Sequence, residues 1–123
     1  MRLLALTTLA STLMLSVTAS AAGLNYTAGL INHDGSINAG SGFTVSHDGT
    51  GKYTITFAAG VFPTHAPAMT CSPFGRGPGV PLCFVYSELW QGDSGPTTFG
   101  IRIYNIAGNL QDNGFGFTEV TTR

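Results

Sequence analysis

Charged residues are scarce in this chain of 123 amino acids. Only 9% of the residues are Asp, Glu, Lys or Arg, and the formal net charge is -1 at pH 7. After Arg2 the basic residues are spread along the chain, at Lys52, Arg76, Arg102 and Arg123. Scattered cations at this density argue against a nucleic-acid partner or another polyanion. Glycine is frequent but follows no three-residue period, which excludes a collagen-like fibre.

Long apolar runs are missing beyond the first 22 residues. Within that segment the basic Arg2 precedes an uncharged run over residues 3–17, and small residues follow up to Ala22. This order is typical of a secretory signal peptide, with cleavage after Ala21 or Ala22. An uncleaved membrane anchor is the alternative, because the uncharged run approaches the roughly 20 residues that span a bilayer. The small residues that follow the apolar run favour cleavage over anchoring.

The signal peptide divides the chain into two parts. Residues 1–22 are the predicted signal peptide, and residues 23–123 form one predicted domain, which is long enough for a modest core. The mature protein is then expected to be secreted or periplasmic, with no membrane span after cleavage. We expect no cofactor.

Cysteine is also rare, since Cys71 and Cys83 are the only two. Exported compartments are oxidising, so a cysteine pair in a short exported chain is expected to form a disulfide. The two residues flank a segment rich in Gly and Pro between two strand-like runs, and the bond would hold those strands together. A redox or metal role is the weaker alternative, because C-x-x-C spacing and a second ligand pair are both missing.

A capped helical period is absent as well. Instead, short β-branched and aromatic runs alternate with polar residues between turns rich in Gly, Asn and Asp. Predicted strands cover residues 24–31, 36–39, 42–46, 52–58, 67–72, 82–90, 97–106 and 115–121. The predicted fold class is therefore all-β, an antiparallel β-sandwich of seven or eight short strands with a jelly-roll-like arrangement.

Two His-Asp-Gly sequences begin at His33 and at His47. Together with His65 they raise the alternative of a metal site, or of a His-Asp pair in a small exported hydrolase. Asp-Gly is, however, a strong hairpin signal, and both copies stand where a strand must reverse. Neighbouring side chains on an extended backbone also point to opposite faces, which disfavours joint chelation. The sequence therefore predicts two turns and no metal site.

The segment Gln91-Gly92-Asp93-Ser94-Gly95-Pro96 is similar to the signature around the nucleophile of chymotrypsin-like proteases. In that family the serine attacks the substrate, which makes Ser94 the candidate nucleophile of the hydrolase alternative. The second glycine of the signature is missing, and residues 23–123 are too few for the double-barrel fold. A triad also needs a base and an orienting acid from a complete scaffold. We therefore predict a turn here and no enzymatic activity.

The one tryptophan, Trp90, precedes this turn at the end of a predicted strand. A regular strand would place it on the face of Phe84 and Tyr86. Its ring is expected to close the end of the core, since large aromatic side chains are mostly buried. The alternative is a platform for a sugar ring or a protein partner, with Gln91 and Asp93 supplying hydrogen-bonding groups. On that interpretation Trp90, Gln91 and Asp93 are the candidate binding residues.

The glycines and aromatic residues of the mature chain carry a family resemblance. Residues 35–57, 62–63, 67–70, 99–108 and 115–117 resemble a β-sandwich module of bacterial exported proteins and phage tail-fibre tips. More broadly, the chain is similar to C1q-like and H-type lectin jelly rolls. The resemblance implies assembly as a homo-oligomer, such as a trimer, and binding through exposed loops.

We therefore expect a secreted, non-catalytic β-sandwich that acts by surface recognition or assembly. Its partner would be an unidentified surface ligand, either carbohydrate or protein, contacted by the loops at residues 73–80 and 91–96. A homo-oligomer is expected from the resemblance and the low charge. A monomer is the alternative, because folded proteins normally expose apolar area.

Overall fold

The computed structural model describes residues 23–74 and 81–122. These residues form eight strands: β1 (Leu24–Ile31), β2 (Ile37–Ala39), β3 (Thr44–Gly49), β4 (Lys52–Phe57), β5 (Ala68–Phe74), β6 (Leu82–Leu89), β7 (Thr97–Tyr104) and β8 (Gly114–Thr122). The predicted signal peptide and most of the predicted contact loop at residues 73–80 lie outside the described residues. The described part of the chain contains no helix long and apolar enough to cross a membrane.

The strands pair into two four-stranded sheets. Sheet A has the order β2-β1-β8-β5, and sheet B has the order β3-β4-β7-β6. The strand pairings within both sheets are antiparallel. The first and last strands meet at the centre of sheet A, and β4 meets β7 at the centre of sheet B, so the chain crosses repeatedly between the sheets. The predicted antiparallel β-sandwich is confirmed.

Alternation with a period of two residues produces the core. In β4, Tyr53, Ile55 and Phe57 are fully buried, whereas the residues between them face away from the core. A slip of one residue would turn these three side chains to solvent, so the apolar pattern specifies the register. The apolar side chains buried between the sheets are Ile31, Phe43, Tyr53, Ile55, Phe57, Phe62, Phe99, Ile101, Ile103, Phe115 and Phe117.

The first Asp-Gly sequence forms the predicted turn between β1 and β2. The Gly35 N–H donates to the Asn32 carbonyl oxygen at 2.9 Å, and the Asn32 N–H donates to the Ser36 carbonyl oxygen at 2.8 Å. Gly35 has a φ of 87°, in the left-handed region where a side chain is disfavoured. The Asp34 carboxylate accepts hydrogen bonds from the N–H and hydroxyl of Ser36.

The second Asp-Gly sequence differs from the prediction. Strand β3 continues to Gly49, so His47 and Asp48 belong to the strand, and only Thr50 and Gly51 connect it to β4. A β-bulge between His47 and Gly49 accommodates the extra residue. A bulge keeps local strand propensity unchanged, so the alternation pattern alone did not reveal it.

The other strand boundaries either coincide with the predicted ones, as for β1, or differ from them by one or two residues. Strand β7 ends at Tyr104, before the predicted end, because Asn105 starts a turn. The Asn105 side-chain oxygen accepts hydrogen bonds from the N–H groups of Ala107 and Asn109 at 3.0 and 3.1 Å. An Asn side chain that bonds nearby backbone in this way competes with the strand ladder.

Cys71 and Cys83 form the predicted disulfide, with their Cα atoms 5.8 Å apart. Cys71 lies on β5 at the edge of sheet A, and Cys83 lies on β6 at the edge of sheet B. The bond therefore joins the two sheets along one side of the sandwich. A disulfide is compatible with an extracellular or periplasmic protein.

Candidate functional site

Trp90 lies where β6 ends, at the boundary between the core and solvent. Its indole N–H donates to the Phe62 carbonyl oxygen at 2.8 Å, and the residue is 40% exposed. Phe62 is buried and packs edge-on against Phe57, with the ring centroids 5.0 Å apart. Trp90 therefore holds the loop around Phe62 against the core, while part of its own surface remains accessible.

Gln91 and Asp93 belong to the turn that follows Trp90, and both are exposed. The turn is tied to the loop around Phe62, because the Gly60 N–H donates to the Gly92 carbonyl oxygen at 3.0 Å. A groove of about 380 Å³ at this end of the sandwich is lined by residues 60–65 and by the adjoining ends of β1 and β8. The three predicted binding residues, Trp90, Gln91 and Asp93, lie beside this groove but do not line it. Their role in binding stays a prediction.

Ser94, the nucleophile of the hydrolase alternative, is exposed in the same turn, and its N–H donates to the Gln91 carbonyl oxygen at 3.0 Å. His47 contacts Asp112, and the Nδ1 atom of His65 lies 2.9 Å from the Thr64 hydroxyl. Within residues 23–74 and 81–122, no hydrogen bond joins Ser94 to a histidine. The geometry of these residues gives the hydrolase alternative no support.

His47 finds its carboxylate partner in Asp112 rather than in the adjacent Asp48. The Nε2 atom of His47 lies 2.9 Å from Oδ1 of Asp112, and the His47 ring stacks on Tyr53 with centroids 4.7 Å apart. The same Asp112 oxygen accepts the Gly51 N–H at 2.7 Å. No pattern in the sequence indicated this contact, because Asp112 lies in a loop remote from both His-Asp-Gly motifs.

The electrostatics of this cluster favour an ionised Asp112 beside a protonated Tyr53. Burial acts to raise the pKa of Asp112, but the Gly51 N–H and His47 outweigh it and hold that pKa below its ordinary value of 3.8. Burial and the nearby Asp112 charge raise the pKa of Tyr53 to about 12. In the part of the chain that the structure describes, no three His, Cys, Asp or Glu side chains converge as a metal site would require.

Glu119 of β8 points into the sandwich and is fully buried. The alternation that carries Phe115 and Phe117 inward carries Glu119 inward as well. Neither carboxylate oxygen forms a well-aligned hydrogen bond. Burial raises the pKa of Glu119, and the Thr27 side chain opposite it opposes that rise only in part. An ionised carboxylate in such a place costs stability, so the neutral form is favoured.

The outer face of sheet A, turned away from the core, carries no charged residue among those described. Tyr26 is 67% exposed near one end of the face, where β2 does not extend alongside β1, and a shallow groove of about 380 Å³ crosses the face at Gly116 between Leu30 and Ser72. The outward residues are Leu24, Tyr26, Ala28, Leu30, Ala68, Thr70, Ser72, Phe74, Gly116, Thr118, Val120 and Thr122. The sequence did not reveal this face, because it combines three strands from distant parts of the chain.

Phe84 and Tyr86 lie on the outer face of sheet B. Cys83 and Val85 pack against the core, which leaves the alternate residues exposed. A β-bulge between Val85 and Ser87 then reverses the alternation along β6. Trp90 therefore does not share the face of Phe84 and Tyr86, as it would on a regular strand.

Comparison with known proteins does not assign the chain to a family: no family model, curated protein or solved structure matches it.

Proposed function

We propose that this protein is an exported, non-catalytic β-sandwich that works through its surface and assembles with copies of itself through the outer face of sheet A. The observation that carries the proposal is the composition of that face, which exposes apolar side chains and no charge across three adjacent strands. The disulfide supports export, because such bonds persist in oxidising compartments.

The apolar side chains on this face are contiguous along β1 and across the row that begins at Tyr26. Leu24, Tyr26 and Leu30 follow one another along β1 and are 45%, 67% and 39% exposed. Tyr26 stands opposite Val120, which in turn stands opposite Ala68 across the sheet. Single exposed apolar residues are normal on a soluble protein, whereas contiguous ones mark surfaces that a partner covers.

A second copy of the chain fits this face better than a charged partner. A charged partner would have to desolvate its ionic groups against a surface that offers them no counter-charge. Two copies of the same uncharged face meet without like-charge repulsion, as the shared interface of a symmetric oligomer requires. Tyr26, which is 67% exposed on this face, is of the residue type that anchors interfaces.

Light scattering of the purified exported protein at micromolar concentration tests the assembly. We expect a mass of two or more chains, and a shift towards one chain for Tyr26→Lys, which would bury a charge in the interface. Thr44→Lys is the matched control, because Thr44 is exposed on the outer face of sheet B. A single-chain mass for the parent, or an unchanged mass for Tyr26→Lys, contradicts the proposal.

Amino-terminal sequencing of protein recovered from the periplasm or the culture medium tests export. The expected sequence starts at Ala22 or Gly23. Recovery of the chain only from the membrane fraction, with its first residues intact, would favour the anchored alternative instead.

A further inference from the structure

Lys52 and Arg102, the basic residues within the described part of the chain, lie directly opposite each other on the outer face of sheet B. Directly opposed like charges destabilise a sheet. Neither cation forms an ion pair with a described carboxylate, since the ion pair found among these residues joins His47 and Asp112. The face therefore carries two adjacent positive charges, neither of which forms a close ion pair with a described carboxylate.

The carboxylate nearest to this pair along the strands is that of Asp48, and neutral donors occupy it. Its two oxygens accept hydrogen bonds from the hydroxyls of Thr54 at 2.6 Å and Ser46 at 2.8 Å. The Asp48 carboxylate lies on the same face as Lys52, but the two side chains form no ion pair.

Aromatic rings continue the row that Lys52 and Arg102 begin. Arg102 stands opposite Phe84, and its guanidinium carbon lies 4.9 Å from the centre of the Tyr86 ring. Phe84 packs edge-on against Tyr104 with centroids 6.0 Å apart. Phe84 and Tyr86 are nevertheless 51% and 68% exposed. The Arg102 Nη1 also donates to the Ile101 carbonyl oxygen at 3.0 Å, so two contacts orient the guanidinium.

We propose that this surface, the cationic aromatic patch of Lys52, Arg102, Phe84, Tyr86 and Tyr104, binds a glycan that carries a carboxylate on a sugar ring. The carboxylate pairs with the two cations, for which Arg provides planar, directional donors. The C–H face of a pyranose stacks on an exposed ring, whose face is electron-rich. The distance from Lys52 across β7 to Phe84 is two strand spacings, or roughly 10 Å. Adjoining sugar units can therefore contact the cations and the aromatic rings at the same time.

An acidic peptide fits the patch less well. Strand β6 is the edge of sheet B, where an extended peptide would add as a further strand. The bulge between Val85 and Ser87 interrupts that edge, and bulges disfavour strand addition. Two cations are also too few for a polyanion such as nucleic acid, whose binding draws on many phosphate contacts.

This site is independent of the assembly proposed above. The patch lies on sheet B, and the apolar face lies on the opposite side of the sandwich, on sheet A. An oligomer joined through sheet A would present several patches at once, which raises the avidity for a repeating glycan.

Isothermal titration calorimetry with two carboxylated probes, tri-galacturonate and sialyllactose, tests the proposal. The uncharged match of tri-galacturonate is its methyl ester, and the uncharged match of sialyllactose is lactose. We expect at least one carboxylated probe to bind and its match to bind about tenfold more weakly or worse. Arg102→Gln and Tyr86→Ala should each weaken binding by a similar factor. Thr118→Ala, on the outer face of sheet A, is the control that should bind as the parent does.

Lys52→Gln should fold as the parent does, because Lys52 is exposed and its replacement removes little besides the charge. Weaker binding by this variant would therefore reflect the lost charge and not misfolding. The Tyr26→Lys variant should retain glycan binding, which separates this site from the assembly. Failure of both carboxylated probes to bind at millimolar concentration overturns the proposal, as does parental affinity in both Lys52→Gln and Arg102→Gln. Binding of poly-glutamate with the expected variant profile, in place of the glycans, would assign the patch to an acidic protein and also overturn it.

Discussion

The Nε2 atom of His47 lies 2.9 Å from Oδ1 of Asp112, so the His-Asp contact of this protein joins residues that are far apart in the chain. The same oxygen accepts the Gly51 N–H at 2.7 Å. The Tyr53 hydroxyl lies 3.4 Å from it and donates to the His33 carbonyl oxygen at 2.6 Å. One carboxylate thus links the β3–β4 turn to the loop that precedes β8.

We expect Asp112→Asn to lower the free energy of unfolding by about 1 kcal/mol at neutral pH, because the ionised acceptor is lost. The pKa of Asp112 is held below 3.8 in the folded protein. Its stabilising effect is therefore present above that value and disappears as the pH falls through the lowered pKa. Urea denaturation at neutral and at acid pH measures this difference.

The control for Asp112→Asn is Glu88→Gln, since Glu88 is exposed and its replacement should leave stability unchanged. Equal stability of Asp112→Asn and the parent at neutral pH would show that the carboxylate charge does not brace the two segments.

Local sequence patterns predicted most of the fold. Tyr53, Ile55 and Phe57 alternate with threonines, so the strand and its inward face follow from the sequence. The turn at Gly35 follows from its Asp-Gly signal. The bulge at Asp48 did not follow, because one extra residue in a strand leaves both flanking patterns intact.

The candidate surfaces were harder to predict than the strands. Both faces of β6 carry apolar side chains, so alternation alone could not decide whether Phe84 points inward. Lys52 and Arg102 looked scattered along the chain, and only the register between β4 and β7 brings them together. Contacts between distant segments depend on how strands pair, which a pattern within one strand does not encode.

The disulfide should contribute strongly to stability, because it joins the edge strands of the two sheets. Cys71 and Cys83 are separated by 12 residues, and closing a loop of about 15 residues corresponds to roughly 3 kcal/mol in the chain-entropy model. We expect the double variant Cys71→Ser, Cys83→Ser to lose about 2–4 kcal/mol of unfolding free energy. Thiol labelling of the denatured, unreduced protein checks the bond, and reactive cysteines under those conditions would contradict it.

Glu119→Gln should stabilise the protein at neutral pH. Burial raises the pKa of Glu119 above its ordinary value of 4.5, so the carboxyl favours folding while it is protonated. That contribution is present below the ordinary pKa and is lost as the pH rises through the raised one. Glutamine avoids this loss, and each kcal/mol recovered raises Tm by roughly 4–8 °C in a domain of this size.

Thermal melts at neutral pH and below pH 4.5 test the Glu119 prediction. The advantage of Glu119→Gln should shrink at the lower pH, where the parent side chain is also neutral. An advantage independent of pH would show that a change of packing, rather than the charge, is responsible.

The end of the sandwich around Trp90 yields the last prediction. Trp90 donates its indole N–H to the Phe62 carbonyl oxygen, so Trp90→Ala should lower Tm by releasing the loop that Phe62 anchors. Gln91 and Asp93 are exposed, and their replacement by Ala should leave Tm nearly unchanged. If this end is a contact surface, Gln91→Ala and Asp93→Ala should weaken binding to a ligand that a glycan or cell-surface screen identifies.

The stability and binding measurements together separate the two roles of Trp90. Trp90→Phe keeps an aromatic ring but removes the N–H donor, so a fall in Tm for this variant isolates the hydrogen bond to Phe62. Loss of binding in Gln91→Ala and Asp93→Ala without a change in Tm would place the ligand at this end. If both variants bind as the parent does while Trp90→Ala unfolds, Trp90 serves to close the core, and the binding surface lies elsewhere on the sandwich.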